Sequence, residues 1–193
     1  MSIFNLGQAA AISLAIAAGA APARAATINE GSFPGGDFSG SATAPTLIGN
    51  GFDTVTGTIG SDDDILAFTG MAPGAQQVTL SFAAPGGVDW SYISGGSILF
   101  STQPFRWNWD GTFAGSFMTA LWQPTSSVTI NLDSGFAGAL YLALYSWGNT
   151  SSYTISLPGN APSAVPLPAA ALLLGGALAG LGSLRRKGRR AAA

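Results

Sequence analysis

The chain has no cysteine and no histidine among its 193 residues, and only 8% of those residues carry charge. Each scarcity removes a class of chemistry. Without cysteine no disulfide can staple the fold, so a stable domain must rest on core burial or on bound ions. Without histidine as well, no Ser-His-Asp triad, thiol nucleophile or His-ligated zinc can be assembled. Basic residues are scarce where a domain would sit. From residue 26 to 164 Arg106 is the single base, set against nine acids, so this stretch carries a net charge of −8. Phosphate backbones would be repelled by it, which excludes nucleic acid as a partner.

The two ends of the chain hold the long apolar runs. Ala9 to Ala21 is uncharged, and Pro22 and Ala23-Arg24-Ala25 follow it. That order predicts a secretory signal helix over 1–25, with an A-x-A site at Ala23 and Ala25 and cleavage before Ala26. No Lys or Arg precedes the run, so the amino terminus is its only leading positive charge.

The last 29 residues read as three parts: Val165-Pro166-Leu167-Pro168-Ala169, an uncharged run to Leu184, and a basic cluster of Arg185, Arg186, Lys187, Arg189 and Arg190. A helix from Val165 to Leu184 would extend roughly 30 Å and match the hydrocarbon core of a bilayer. The five cations would stop translocation and leave the body outside. An ordinary C-terminal anchor is the competing reading, although the strict Ala169–Leu184 core is short for a permanent span.

Motif, span and basic end together resemble the PEP-CTERM class of bacterial sorting signals, in the variant whose motif reads VPLPA. The resemblance covers the tail alone. It implies recognition by an exosortase-type membrane transpeptidase, cleavage near the motif and transient residence in the inner membrane. It also implies an association with exopolysaccharide and biofilm matrix.

Between the ends, period-two alternation predicts an all-β body. Gln77 to Phe82 alternates with Val78, Leu80 and Phe82 on one face. Val128, Ile130 and Leu132 share a face of a second run, and Tyr153, Ile155 and Leu157 do so in a third. Ala139 to Trp147 is apolar on both faces, as a central strand would be. Further short runs are expected at Thr54–Ile59, Ile65–Phe68, Trp90–Ile93 and Ser97–Ser101. About eight such strands cut by Gly-containing turns predict an antiparallel β-sandwich, jelly-roll or Ig-like, over residues 52–159. A loose Gly/Ser-rich segment, 26–51, precedes it, with Thr46–Ile48 as an edge strand. A linker, 160–164, leads to the sorting signal at 165–193. The whole reads as a sandwich flanked by an N-terminal signal helix and a C-terminal transmembrane helix.

Part of the body resembles the bacterial pre-peptidase C-terminal domain. The residues that carry the likeness are Gly57-Thr58-Ile59, the acidic turn Asp62-Asp63-Asp64 leading into Ile65-Leu66-Ala67-Phe68, and Pro73-Gly74 before Val78-Thr79-Leu80. The closing Tyr141-Leu142-Ala143-Leu144 and Tyr153-Thr154-Ile155-Ser156-Leu157 complete it. Ser101 to Gln123 departs from that pattern. The resemblance implies a secreted sandwich.

Two groups are candidate sites. Asp62 and Asp64 would face one side of an extended chain and could offer oxygens to calcium; otherwise they are solvated turn residues. Phe105, Trp107 and Trp109 alternate with Arg106, Asn108 and Asp110, so a strand here would present an aromatic stripe able to stack on sugar rings. The competing reading is core packing. Asp89, Asp110 and Asp133 have no spacing that selects a catalytic pair.

These observations predict an exported, non-catalytic cell-surface or matrix protein, with an exosortase and the inner membrane as transient partners and extracellular polysaccharide as a candidate ligand. No cofactor beyond calcium is expected. A carbohydrate-binding module using Phe105, Trp107 and Trp109 is the first alternative, and a carboxylate-only glycosidase is the second.

Overall fold

A computed structural model describes residues 26–160. The signal segment 1–25, with Ala23 and Ala25, lies outside the described residues. So do most of the linker and the whole sorting signal, with Val165, Pro166, Leu167, Pro168, Ala169 and the cluster Arg185, Arg186, Lys187, Arg189 and Arg190. No helix among the described residues is long and apolar enough to cross a membrane.

Ten strands are present among the described residues: β1 (Ala26–Asn29), β2 (Thr46–Ile48), β3 (Phe52–Ile59), β4 (Asp63–Thr69), β5 (Gln76–Ala83), β6 (Ile93–Ser101), β7 (Thr112–Ala120), β8 (Thr125–Leu132), β9 (Ala139–Gly148) and β10 (Ser151–Ser156). They form two five-stranded sheets, ordered β1-β3-β10-β5-β8 and β2-β4-β9-β6-β7. The expected β-sandwich is present. Its two short outer strands depart from the antiparallel pattern, because β1 runs parallel to β3 and β2 parallel to β4. The Gly/Ser-rich segment 26–51 is thereby stitched into both sheets.

Alternation decides which face each strand buries. In the first sheet Val55, Ile59, Val78, Leu80, Phe82, Val128, Ile130, Tyr153 and Ile155 point inward. Leu66, Phe68, Ile98, Phe117, Leu140, Leu142 and Leu144 meet them from the second. The rings of Phe82 and Phe117 lie face to face across the gap, 3.8 Å between centroids and 2° from parallel. Gly96 makes room for that contact, since a Cβ there would lie 2.6 Å from the Phe117 ring. This is why β6 runs unbroken through Gly95-Gly96, where the sequence suggested a turn.

The second sheet is also covered on its outer face. Ile65, Leu99, Ala143 and Tyr145 form a smaller cluster there with Ala42 and Phe105, and Tyr141 packs against its side. Both faces of β9 are therefore largely buried, which explains its unbroken apolar sequence.

Removing the Phe117 ring is expected to lower unfolding free energy by about 3–5 kcal/mol, the usual cost of a Phe-to-Ala cavity. Urea denaturation of Phe117→Ala followed by far-ultraviolet circular dichroism checks this. A loss under about 1 kcal/mol would mean that the interface between the sheets closes without the stack.

Candidate functional site

All five tryptophans of the chain are more than half exposed, Trp90 most of all at 77%. Large aromatics normally supply a small domain's core. Here aliphatic side chains, phenylalanines and Tyr153 fill the main core, and the indoles are left at the surface.

Strand pairing places these rings relative to one another. Trp147 and Tyr145 are two apart on β9 and share its outer face, about 7 Å from one to the next. Trp147 lies over β6, where Gly95 is its register partner and a Cβ would meet the indole at 2.6 Å. Farther along, Ile93 pairs with Ala120 and Ser94 with Gly148. Trp90, Trp122 and Trp147 all fall within three residues of this end of the sheet. Trp90 and Trp122 pack together there, 6.3 Å between centroids.

Trp109 is laid on Tyr145 at the other end of the row, 3.9 Å between centroids and 11° from parallel. Its backbone N–H donates to the Tyr145 hydroxyl at 2.7 Å. Trp109 has a φ of 68°, the one positive value outside glycine among the described residues. A bulky residue in that region costs on the order of 1–3 kcal/mol and persists only where surrounding contacts impose it. The stack and the Tyr145 hydrogen bond are those contacts. Burial pushes the Tyr145 hydroxyl up from its ordinary pKa, and Asp63 adds to the shift while the bond from Trp109 opposes it. Tyr145 thus remains a neutral phenol.

The expected stripe of Phe105, Trp107 and Trp109 is not a strand face. Residues 102–111 form an irregular loop, and its side chains separate. Phe105 turns inward to cap the smaller cluster, edge-on to Tyr141. Trp107 carries the Arg106 guanidinium 4.2 Å from its ring centre. Arg106 is tied to Asp110 through two side-chain contacts of 3.0 and 3.1 Å and through its own N–H at 2.8 Å. That i,i+4 clamp bends the chain and defeats the two-residue period. The structure joins Trp109 to Tyr145 and Trp147 instead. Tyr145 and Trp147 were legible as an apolar strand, but nothing local in the sequence links them to Trp109, 36 positions earlier.

A second constellation is acidic and lies at the entrance to β4. Glu30, Asp37 and Asp64 each place a carboxylate oxygen within 4.8 Å of the others. Glu30 follows β1 in a short 3-10 turn, where its Oε2 accepts from the Thr58 N–H at 2.8 Å and from the Thr58 hydroxyl at 3.0 Å. Asp64 faces inward and accepts from the Tyr153 hydroxyl at 2.8 Å. Gly57 permits this bond, since a Cβ there would lie 2.6 Å from the Tyr153 oxygen.

Glu30 Oε1 and Asp64 Oδ1 are both buried without a hydrogen-bond partner. Buried carboxylate oxygens normally have partners, so these two stand out among the polar atoms of the described residues. Asp62, grouped with Asp64 by the sequence, instead accepts from the Gly60 N–H at 2.7 Å. Glu30 and Asp37 were missed because they lie some 30 residues from Asp64 along the chain. Burial drives the Asp64 pKa up to about 8; the Tyr153 bond opposes the rise, and Glu30, Asp62 and Asp37 add to it. Burial also raises Glu30.

No protein-family model and no curated protein matches the chain. Among solved structures it is similar to the pre-peptidase C-terminal domain of a collagenase from Bacillus anthracis. Identity is 20%, covering 57% of this chain and 91% of that one, with a TM-score of 0.33. It is also similar to a CBM35 from Cellvibrio japonicus Abf62. There identity is 18%, over 49% of this chain and 64% of that one, with a TM-score of 0.26. The sandwich described here rests on its own strand pairing.

The raised pKa of Asp64 sets a pH dependence. Its ordinary value is 3.8 and its folded value about 8, so the folded protein keeps a proton that the unfolded chain releases. This contribution to stability is full below about pH 4 and is lost progressively as pH rises toward about 8. In the presence of a chelator the melting temperature should therefore fall between pH 5 and pH 8, and Asp64→Asn should flatten that slope. Calorimetry of the two proteins side by side tests it; equal slopes would show that Asp64 does not hold the proton.

Proposed function

We propose that this chain is an exported, non-catalytic surface or matrix protein whose sandwich binds polysaccharide through its tryptophan row. The observation that carries the reading is the exposure of every tryptophan, with Trp109 laid on Tyr145 at a backbone angle that only those contacts impose. Flat exposed rings stack on the C–H faces of sugars, while hydroxyl and amide groups nearby bond the sugar oxygens. Delivery is read from the chain ends: the signal segment exports the body, and the VPLPA tail holds it in the inner membrane for an exosortase-type transpeptidase.

Asp89 and Asp110, two of the three aspartates considered for a catalytic pair, support a non-catalytic reading. Asp89 is held below the usual range by the hydroxyl and N–H of Ser91, and Asp110 by Arg106. A general acid needs the opposite shift. Asp64 has a raised pKa but is fully buried, out of reach of a glycosidic bond.

Insoluble cellulose, chitin and the producer's own matrix should each be incubated with the body and sedimented. At least one of them is expected to retain the wild type. Trp109→Ala and Trp147→Ala should each weaken retention about tenfold, the effect of losing one stacking ring. Retention unchanged by both substitutions would end the aromatic-row reading. Wild-type protein left in the supernatant with all three would end the polysaccharide reading.

A second reading concerns calcium and is favoured by the two unpartnered oxygens at Glu30 and Asp64. Bound there with Asp37, calcium would supply the counter-charge that this −8 body lacks and would fasten β1 to β4. At pH 8 millimolar calcium should raise the melting temperature of the wild type by several degrees, as expected for a ligand of the folded state alone. Asp64→Asn should respond little. Identical melting curves with calcium and with chelator would remove the ion.

A further inference from the structure

The outer face of the first sheet is unlike the tryptophan face. Register places Thr154 beside Ser81 and Ser81 beside Ser127, and in the next row Ser152 beside Ala83 and Ala83 beside Thr125. The five Ser and Thr side chains of these rows point to solvent. No Asp, Glu, Lys or Arg occurs in β5, β8 or β10. Exposed sheet faces usually carry mixed charge, which keeps them soluble and unpaired. This one is a charge-free array of hydroxyls, and it is indented by a groove of about 600 Å³. The groove is lined by Ser81, Thr125, Ser127, Ser152, Thr154 and Gln123.

Gln123 connects the two faces. It sits in the turn between β7 and β8, directly after Trp122, whose ring packs on Trp90. This turn is held in place by the Ala120–Gln123 backbone pair and by the Ala84 N–H donating to the Pro124 carbonyl at 2.8 Å. The aromatic row of the second sheet therefore ends at the corner where the hydroxyl groove of the first begins.

We propose that this groove is a second subsite, taking the uncharged, hydroxylated stretch of the same polysaccharide after it has passed the Trp90–Trp122 corner. The inference rests on the glycan reading of the tryptophan row and extends it to ligand length and charge. Neighbouring strands are about 4.8 Å apart, close to the advance of one sugar along an extended β-linked glycan. A chain crossing β8, β5 and β10 meets one protein hydroxyl per strand in the Ser127, Ser81, Thr154 row. Hydroxyls both donate and accept, so each can bond a sugar oxygen in either sense. A carboxylated or sulfated chain would find no cation in the groove and a body charged −8 beneath it.

Uncharged β-1,4-linked gluco-oligosaccharides and their N-acetylated counterparts, two to eight units long, should be titrated calorimetrically into the body. With at least one series, affinity is expected to rise about tenfold between four and eight units, the sum of two or three modest hydrogen bonds. The double variant Thr125→Val/Thr154→Val keeps shape and strand preference while deleting two hydroxyls, and Ser127→Arg fills the groove. Both should bind the four-unit chain like the wild type and lose the gain at eight. Their melting temperatures, measured in parallel, report that they are folded. A gain that survives both variants overturns the subsite, and so does a wild type that binds four and eight units equally while Trp147→Ala binds neither. A wild type that binds no chain of either series at any length, yet sediments with one of the insoluble polysaccharides, overturns the subsite as drawn; one that also stays in the supernatant with all three overturns the glycan reading itself.

Discussion

Contact between the two sheets is the constraint on which everything else here depends. With no cysteine, the body has no covalent staple, and its loops outside the strands are long and rich in glycine. What holds it is side-chain interdigitation across a gap of about 10 Å. Phe82 and Phe117 set the spacing, and beside them Tyr153, the register partner of Phe82, reaches across to Asp64. Both contacts depend on a missing Cβ, at Gly96 and Gly57 respectively, so these two glycines are packing residues that happen to have no side chain. Adding a methyl group at either place would push apart the surfaces whose contact keeps the domain folded.

This arrangement also explains which parts of the fold were legible in the sequence. Strands β5, β8 and β10 bury one face and expose the other, so their alternation shows directly as VTLSF, VTINL and YTISL. Strand β9 buries both faces and shows as an apolar run. Strand β7 left no such trace. Its register with β6 shifts by a bulge between Ile98 and Leu99, and its residues Thr112 to Gly115 are partly or wholly exposed, so no two-residue period survives. Strand β6 was expected to begin at Ser97 because Gly95-Gly96 looks like a turn, whereas it begins at Ile93 and the glycines serve two rings on neighbouring strands; Trp90 to Tyr92, expected as strand, lie in a turn before it.

Neither candidate site could have been assembled from local pattern. Phe105, Trp107 and Trp109 alternate as a strand would, yet the Arg106–Asp110 clamp curls them into a loop that buries one ring and exposes two. Asp62 and Asp64 alternate as well. One caps a turn and the other joins Glu30 and Asp37 across the end of the sandwich. In both cases the residue types were informative and the spacing was not, because tertiary contacts chose the partners. The signal that could have pointed to Glu30 is its isolation: it is the single glutamate of the chain, in a segment otherwise without a reason to be charged.

The charge of the body and its exposed rings belong to one problem. Five solvent-facing indoles on a small domain invite copies of it to adhere through their apolar surfaces. A net charge of −8 opposes that, because two such bodies repel over roughly a Debye length, about 8–10 Å at moderate salt. Such repulsion does not act on an uncharged chain, so on the proposed reading the same acids would oppose self-association and leave the rings open to a neutral glycan. They would also turn away an acidic one. On that reading the scarcity of basic residues would act as a filter on what approaches the tryptophan row.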